Sequence, residues 1–186
     1  MFGRVQAENY RSPSGCTILA LMLLLLAVPL KTAHAGHTLT AQEQETLKTW
    51  LASHRNYRSA TDDDCVCAGF IKDLRAGYGG TMKPIPDYHP YVATGDFNSD
   101  GKRDFAVVVI DRSKTDRSFA LLVFNGPLDP NKASPAFMKS DLNLGGKGLF
   151  YGPPRPKPYR LLLGTFETDT AWILVPRGDS YVLSAE

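Results

Sequence analysis

The second half of the chain is divided into short apolar segments, and this pattern constrains the fold more than any other feature of the sequence. The segments are rich in Val, Ile, Leu, Phe and Tyr and are bounded by turn-forming residues: 88–94, 104–111, 119–125, 136–139, 159–166, 171–175 and 181–183. Polar connections as short as 111–118 and 176–180 favour hairpins, because parallel strands need crossovers of about a dozen residues or more. We therefore expect an antiparallel sheet of five to seven strands.

Two helices are predicted before these strands. Thr40 and Glu43 have capping-box spacing, in which each side chain satisfies a free backbone amide. An apolar face follows at helical spacing: Leu47, Trp50, Leu51 and His54. Residues 56–60 are interpreted as a break, and the acidic residues 62–64 as the start of a second helix, where the helix dipole favours negative charge. Helices followed by strands indicate an α+β fold, with both helices packed on the sheet.

Residues 1–35 have the pattern of a secretory signal peptide. Arg4 and Arg11 precede an apolar run at 17–30, and residues 33–35 (Ala-His-Ala) match the small-x-small cleavage pattern. The run of about 14 residues is shorter than the roughly 20 that span a bilayer. We expect a single α+β domain over 36–186, without a membrane span, in a periplasmic or secreted protein. The alternative is an uncleaved N-terminal anchor.

The charge of the chain depends on this leader. Without Arg4, Arg11, Lys31 and Glu8, the 21 basic and 19 acidic residues become 18 of each, so the predicted mature chain is neutral. A neutral chain has no electrostatic basis for binding nucleic acid, because that binding depends on neutralising phosphates. We expect a monomer whose partner is an unknown protein or envelope ligand.

The segment 95–104, Gly-Asp-Phe-Asn-Ser-Asp-Gly-Lys-Arg-Asp, is the strongest candidate for metal chemistry. Its oxygen-bearing side chains stand at loop positions 1, 3, 5 and 9: Asp96, Asn98, Asp100 and Asp104. Calcium takes about six to eight oxygen ligands, and alternate residues of a tightly turning loop can converge on one ion. Gly101 stands where such a loop needs a positive φ. The pattern predicts a structural calcium site in which Lys102 contributes its backbone carbonyl.

The surroundings of this loop differ from those of an EF-hand. Val107 stands where an EF-hand has its bidentate Glu, and the segment before the loop is a predicted strand. The loop resembles the calcium loop of FG-GAP/VCBS repeats, which joins two antiparallel strands, and the resemblance covers about residues 93–110. It implies metal ligation by Asp96, Asn98, Asp100, Asp104 and the carbonyl of Lys102. The alternative is an acidic hairpin loop closed by Asx turns without metal.

The resemblance has a limit in copy number. FG-GAP/VCBS repeats occur in series as propeller blades, whereas this chain has a single copy of the loop. The resemblance therefore does not extend to a propeller. The wider chain also resembles small exported bacterial proteins, which implies no mechanism.

Cys65 and Cys67 are the only cysteines of the predicted mature chain. Outside the cytoplasm they should oxidise where their geometry permits. Two residues apart on a helix, their side chains would point about 200° apart, so pairing would require a distorted first turn. Three arrangements remain open: a strained Cys-x-Cys disulfide, an intermolecular bridge and two packed thiols. Neither His54 nor His89 stands at metal-ligand spacing from them, which argues against zinc.

No familiar catalytic motif accompanies these features. Gly-x-Ser-x-Gly, His-Glu-x-x-His, Walker and dinucleotide-binding patterns are absent, and we assign no catalytic residue. The leading hypothesis is an exported, calcium-stabilised binding or interaction module. One alternative is a small secreted hydrolase with a site near the metal loop and His89. A second is a redox-responsive protein that uses Cys65 and Cys67. Tyr88 and Tyr91, beside His89, are interpreted as core and turn residues.

Overall fold

The computed structural model of the protein describes residues 35–77, 83–129, 132–152, 157–168 and 170–185. These residues form two α-helices and nine strands: α1 (Ala41–Ser53), β1 (Tyr57–Ser59), α2 (Ala68–Ala76), β2 (Val92–Gly95), β3 (Asp104–Asp111), β4 (Phe119–Phe124), β5 (Phe137–Leu142), β6 (Lys147–Phe150), β7 (Leu161–Thr165), β8 (Ala171–Arg177) and β9 (Ser180–Ala185). The α+β class is confirmed. Neither described helix is long and apolar enough to cross a membrane. The predicted signal peptide, up to residue 34, lies outside the described residues.

Helix α1 begins as its sequence predicts. The Thr40 side chain accepts from the Glu43 amide at 3.3 Å, and the Thr40 amide donates to the Glu43 carboxylate at 2.7 Å. Its end is formed by His54, whose Nδ1 lies 2.8 Å from the Trp50 carbonyl and whose ring stacks on the Trp50 indole. His54 is therefore a C-terminal capping residue of α1.

The segment between the two helices differs from the prediction. Tyr57–Ser59, interpreted as a break, pairs with β3 as strand β1. Asp62–Asp64 forms a short 3₁₀ turn, and α2 begins only after Cys67. The Asp64 carboxylate caps the turn by accepting from the Thr61 amide, so the acidic run stabilises this turn and not the first turn of α2.

The strands form two antiparallel sheets, not the single sheet that we expected. In the five-stranded sheet, β3 pairs with β4 along one edge and with both β1 and β2 along the other, and β4 pairs with β5. In the four-stranded sheet, β6 to β9 pair in sequence order. Short connections predict hairpins but do not say where one sheet ends and the next begins.

The central strands β3 and β4 have buried residues on both faces. On one face they form a cluster with two residues of α1: Phe105, Val107, Val109, Ala120, Leu122 and Phe124, with Leu47 and Trp50. On the other face they form a cluster with the four-stranded sheet and α2: Ala106, Val108, Leu121 and Val123, with Leu149, Leu161, Leu163, Leu174 and Ile71. The five-stranded sheet is thus the middle layer of the described fold.

Candidate functional site

The loop at 96–103 connects two paired strands, as the sequence predicts. Gly95 and Asp104 are the last register pair of β2 and β3, so the loop closes a hairpin at one end of the central sheet. Gly101 has φ +81° and Ser99 has φ +64°. A Cβ on Gly101 would meet no atom within 4 Å, so its positive φ, and not crowding, explains the glycine.

The oxygen side chains of the loop point inward, toward its own backbone. Asp96 accepts from the amides of Asp100 and Gly101 at 3.0 and 2.9 Å. The Asn98 carbonyl oxygen accepts from the same Asp100 amide at 3.1 Å. The Asp100 carboxylate accepts from the Lys102 amide at 2.8 Å. Asp96 and Asn98 therefore direct oxygens to one point, and backbone amides occupy it in this conformation.

Asp104 is the buried member of the set. Its two carboxylate oxygens accept from the Phe97 amide at 2.8 Å and from the Gly126 amide at 2.9 Å, which joins the loop to the end of β4. Burial raises the pKa of Asp104 to about 6, and the negative charge of Asp100 adds to the rise. The two amides act against it. An ionised Asp104 is thus costly in this setting unless positive charge lies near it.

Two contacts around the loop have no signal in the sequence. Arg103 donates from Nε to the buried Glu43 carboxylate at 2.8 Å and from Nη2 to the Thr38 carbonyl at 3.0 Å, so the loop is joined to the start of α1. The Tyr151 hydroxyl donates to the Asp96 carbonyl at 2.5 Å. The sequence shows that Arg103 is charged, but it does not show which residues Arg103 contacts. Those partners are distant in sequence and are brought near only by the fold.

Gly95 illustrates a second kind of missing information. It is the first residue of the segment 95–104, it lies in β2, and its φ is not positive. A Cβ on Gly95 would come within 2.4 Å of two Tyr151 ring carbons. The glycine is therefore explained by the close approach of the Tyr151 ring, which directly follows β6 of the four-stranded sheet.

Whether the loop suits a cation depends on the side-chain atoms that it could offer as ligands. Among the described residues, no group of three or more His, Cys, Asp or Glu side chains is arranged to hold a metal ion. The loop does offer hard oxygens only, from Asp96, Asn98, Asp100 and Asp104, which is the chemistry that calcium prefers. Their present partners are backbone amides of the same hairpin and of Gly126, and the Lys102 ammonium, which lies 3.6 Å from the Asp100 carboxylate. Loading the loop with calcium would require the carboxylates to turn from some of these amides to the ion.

His89 lies in a different polar cluster. Its Nδ1 is 3.0 Å from Asp62 Oδ1, and the other Asp62 oxygen accepts from Arg75 at 2.5 Å. Arg75 also donates to the Tyr88 carbonyl. Tyr88 and Tyr91 are buried, as the core interpretation predicts, whereas His89 is exposed. His89 precedes β2 and the loop follows it, so the four residues of β2, about 13 Å of extended strand, lie between them. The structure does not bring His89 and the loop together.

A cleft of about 640 Å³ lies beside this second cluster. Its lining residues come from the 3₁₀ turn and α2: Asp62, Asp63, Cys65, Ala68, Ile71, Lys72, Arg75 and Ala76. No residue of the loop at 96–103 contributes to it. Among the lining residues, the negative charges of Asp62 and Asp63 balance the positive charges of Lys72 and Arg75, and the other four are apolar.

Cys65 and Cys67 are joined as an intrachain disulfide, with Cα atoms 5.0 Å apart. The pair is compatible with this bond because neither residue lies inside α2: Cys65 follows the 3₁₀ turn and Cys67 is the N-cap residue. The helical geometry that argued against pairing does not apply here. Val66, between them, is 90% exposed.

Comparison of the chain with protein-family models, with curated proteins and with solved structures found no match. The two clusters are therefore interpreted from their own chemistry: an oxygen-rich hairpin loop at one end of β2, and a disulfide beside a cleft near the other.

Proposed function

We propose that the protein is an exported binding or interaction module whose β2–β3 hairpin is stabilised by calcium. The observation that carries the proposal is the position of the loop. It closes the antiparallel β2–β3 hairpin, and the ligand side chains that it offers are oxygen donors. A cation held there would fix the register of β2 against β3, and with it one edge of the middle layer.

Asp96, Asn98, Asp100, Asp104 and the Lys102 carbonyl would hold the ion. Calcium would supply positive charge beside Asp104, whose burial disfavours ionisation. The amides of Phe97 and Gly126 would continue to orient the Asp104 carboxylate. This role is structural, and it leaves the ligand-binding surface of the module elsewhere on the protein.

The hydrolase hypothesis has less support. His89 and Asp62 form a histidine–carboxylate pair, the arrangement that orients a general base. A hydrolase site at the loop would need that pair, or a nucleophile, beside the carboxylates. The cleft near Asp62 contains no residue of the loop, which favours the module over the hydrolase.

The test is thermal unfolding of the mature chain in EDTA and in 10 mM calcium. A site with a dissociation constant on the order of 10⁻⁴–10⁻³ M, typical of extracellular modules, would stabilise the fold by about 1.4–2.7 kcal/mol at this concentration. For a domain of this size the expected rise in Tm is about 3–10 °C. Magnesium at the same concentration should raise Tm less, because it releases its waters reluctantly.

Matched variants assign the effect to the loop. D100N keeps an oxygen acceptor for the Lys102 amide and removes a candidate ligand charge, so its response to calcium should be much smaller. D116N makes the same change in the exposed hairpin loop between β3 and β4 and should respond like the natural chain. An unchanged Tm in calcium, or an equal response from D100N, would contradict the proposal.

A further inference from the structure

The Cys65–Cys67 disulfide lies at the junction of a helix and a cleft. Cys67 is the N-cap residue of α2, a nine-residue helix, and no side chain caps its first amides. Cys65 lines the cleft of about 640 Å³, whereas Cys67 does not. Both cysteines are buried, Cys65 at 7% and Cys67 at 3% exposed, and they differ in that only Cys65 lines the cleft, whereas Cys67 lies at a helix N-terminus.

The position of Cys67 favours its reduced form. A thiolate at the N-terminus of a helix is stabilised by the helix dipole and by the free amides of the first turn. In the disulfide, Cys67 carries no charge, and the amides lack that acceptor. A disulfide whose reduced form is stabilised in this way is a stronger oxidant.

The length of the closed loop argues against a mainly structural role. A disulfide stabilises a fold by restricting the unfolded chain, and this effect grows with the number of residues that it encloses. Cys65 and Cys67 are separated by two positions, so the effect is near its minimum. A structural bond would gain more by connecting distant parts of the chain.

Apolar surface lies beside the bond. Val66 is 90% exposed and Phe70, in the first turn of α2, is 39% exposed. Exposed apolar side chains at a reactive site suit an extended polypeptide better than a small charged thiol. Of the nearby acids, Asp62 and Asp64 are paired with Arg75 and Arg58, and exposed Asp63 shares the cleft rim with Lys72.

We propose that Cys65–Cys67 is a redox-active disulfide that oxidises cysteine pairs of other polypeptides, with Cys65 as the sulfur that is attacked. A substrate thiolate forms a bond to Cys65 Sγ, the Cys65–Cys67 bond breaks, and Cys67 leaves as a thiolate. A second substrate thiolate then attacks the first substrate sulfur and releases Cys65. The substrate loses two electrons and forms a disulfide, and the protein gains them as a dithiol. The proposal does not depend on calcium.

The first experiment uses the oxidised natural chain and a reduced two-cysteine peptide with apolar flanking residues, without denaturant. Samples are alkylated over time and weighed by mass spectrometry. The expected result is transfer within minutes: the peptide becomes a disulfide that no longer takes up alkyl groups, and the protein becomes a dithiol that takes up two. The C65S/C67S double variant should transfer nothing. A natural chain that remains oxidised for hours under these conditions, and is reduced only in denaturant, would overturn the proposal.

Single variants test the roles of the two sulfurs. C67S retains Cys65, which lines the cleft, and should form a mixed disulfide with a thionitrobenzoate-activated peptide at least about tenfold faster than C65S, whose remaining Cys67 does not line it. Circular dichroism of both variants confirms that each is folded. Equal rates would overturn the assignment of Cys65.

The nature of the substrate is tested separately. The apolar peptide should reduce the natural disulfide several-fold faster than glutathione at equal thiol concentration. V66S should slow the peptide and leave glutathione unaffected, while V182S, which changes an exposed valine of β9, should slow neither. Faster reduction by glutathione would overturn the assignment of polypeptide substrates.

Discussion

At the scale of single residues, the fold shifts the pKa values of two carboxyl groups in opposite directions. Burial raises the pKa of Asp104 to about 6, and the negative charge of Asp100 adds to the rise. Asp64 accepts two hydrogen bonds from the Arg58 guanidinium, which lowers its pKa to about 2, and bonds from Thr61 add to this effect. Both lie in acidic stretches of the sequence. Only the partner supplied by the fold distinguishes them.

The Asp64–Arg58 pair predicts a dependence of stability on acid. Because the folded pKa is below the usual value of 3.8, the ionised pair contributes stability above about pH 4 and loses it as the pH falls to about 2. Arg58 is 43% exposed, so screening by water reduces the contribution to about 1 kcal/mol. We expect D64N to lower the free energy of unfolding by that amount at pH 6, measured in urea, and by little at pH 2.

The neighbouring variant D63N is the control, because Asp63 is exposed and has no ion-pair partner among the described residues. It should change stability by less than about 0.5 kcal/mol at both pH values. A D64N cost that persists undiminished at pH 2 would show that the carboxylate charge is not its source.

At the scale of elements, the hairpin loop and α1 are connected by a partly buried ion pair. Glu43 satisfies the Thr40 amide in the capping box and also accepts from Arg103. One carboxylate therefore starts the helix and fastens it to the loop. The capping box is visible in the sequence because its members are three positions apart. The Arg103 contact spans 60 positions and becomes visible only in the folded chain.

Removing Arg103 should therefore weaken α1 selectively. In R103A the Glu43 carboxylate stays buried without its guanidinium, at a cost of about 2–3 kcal/mol, below the range for a fully buried pair because Arg103 is partly exposed. Hydrogen exchange should show faster exchange of the α1 amides than of the β4 amides. The control K48A breaks the exposed Lys48–Glu45 pair and should cost under about 0.5 kcal/mol. Equal costs for the two variants would contradict a role for Arg103 in holding α1.

At the scale of the whole described fold, two cores share the same central strands. Leu121 and Leu122 are consecutive in β4 and fully buried, yet they belong to opposite clusters. The alternation of strand side chains places one toward α1 and the other toward the second sheet. Because β3 and β4 contribute to both clusters, loss of either cluster should remove support from the other.

L121A and L122A should consequently each lower the global free energy of unfolding by about 2–4 kcal/mol, with a single urea transition. V182A, at a half-exposed position of β9, should change it by less than about 0.5 kcal/mol. Two separate transitions in either leucine variant would show that the cores unfold independently.

The features that depend on neighbouring residues could be predicted from the sequence. These are the start of α1, seven of the nine described strands and the hairpin that carries the oxygen-rich loop, because capping, alternation and turn formation act over a few positions. Strands β1 and β6 were missed because Tyr57–Ser59 and Lys147–Phe150 contain only one and two apolar residues, too few to show a strand pattern.

How these elements combine depends on contacts that form only in the folded chain. Four features depend on residues that are distant in sequence: the division into two sheets, the Arg103–Glu43 contact, the close approach of the Tyr151 ring to Gly95, and the cleft beside Cys65. The pairing of Cys65 with Cys67 is local in sequence, yet it too depended on the fold. Helix α2 begins at Ala68, after both cysteines, and the segment before it is therefore free of helical geometry. Local pattern specifies the elements, whereas burial and long-range partners specify their positions.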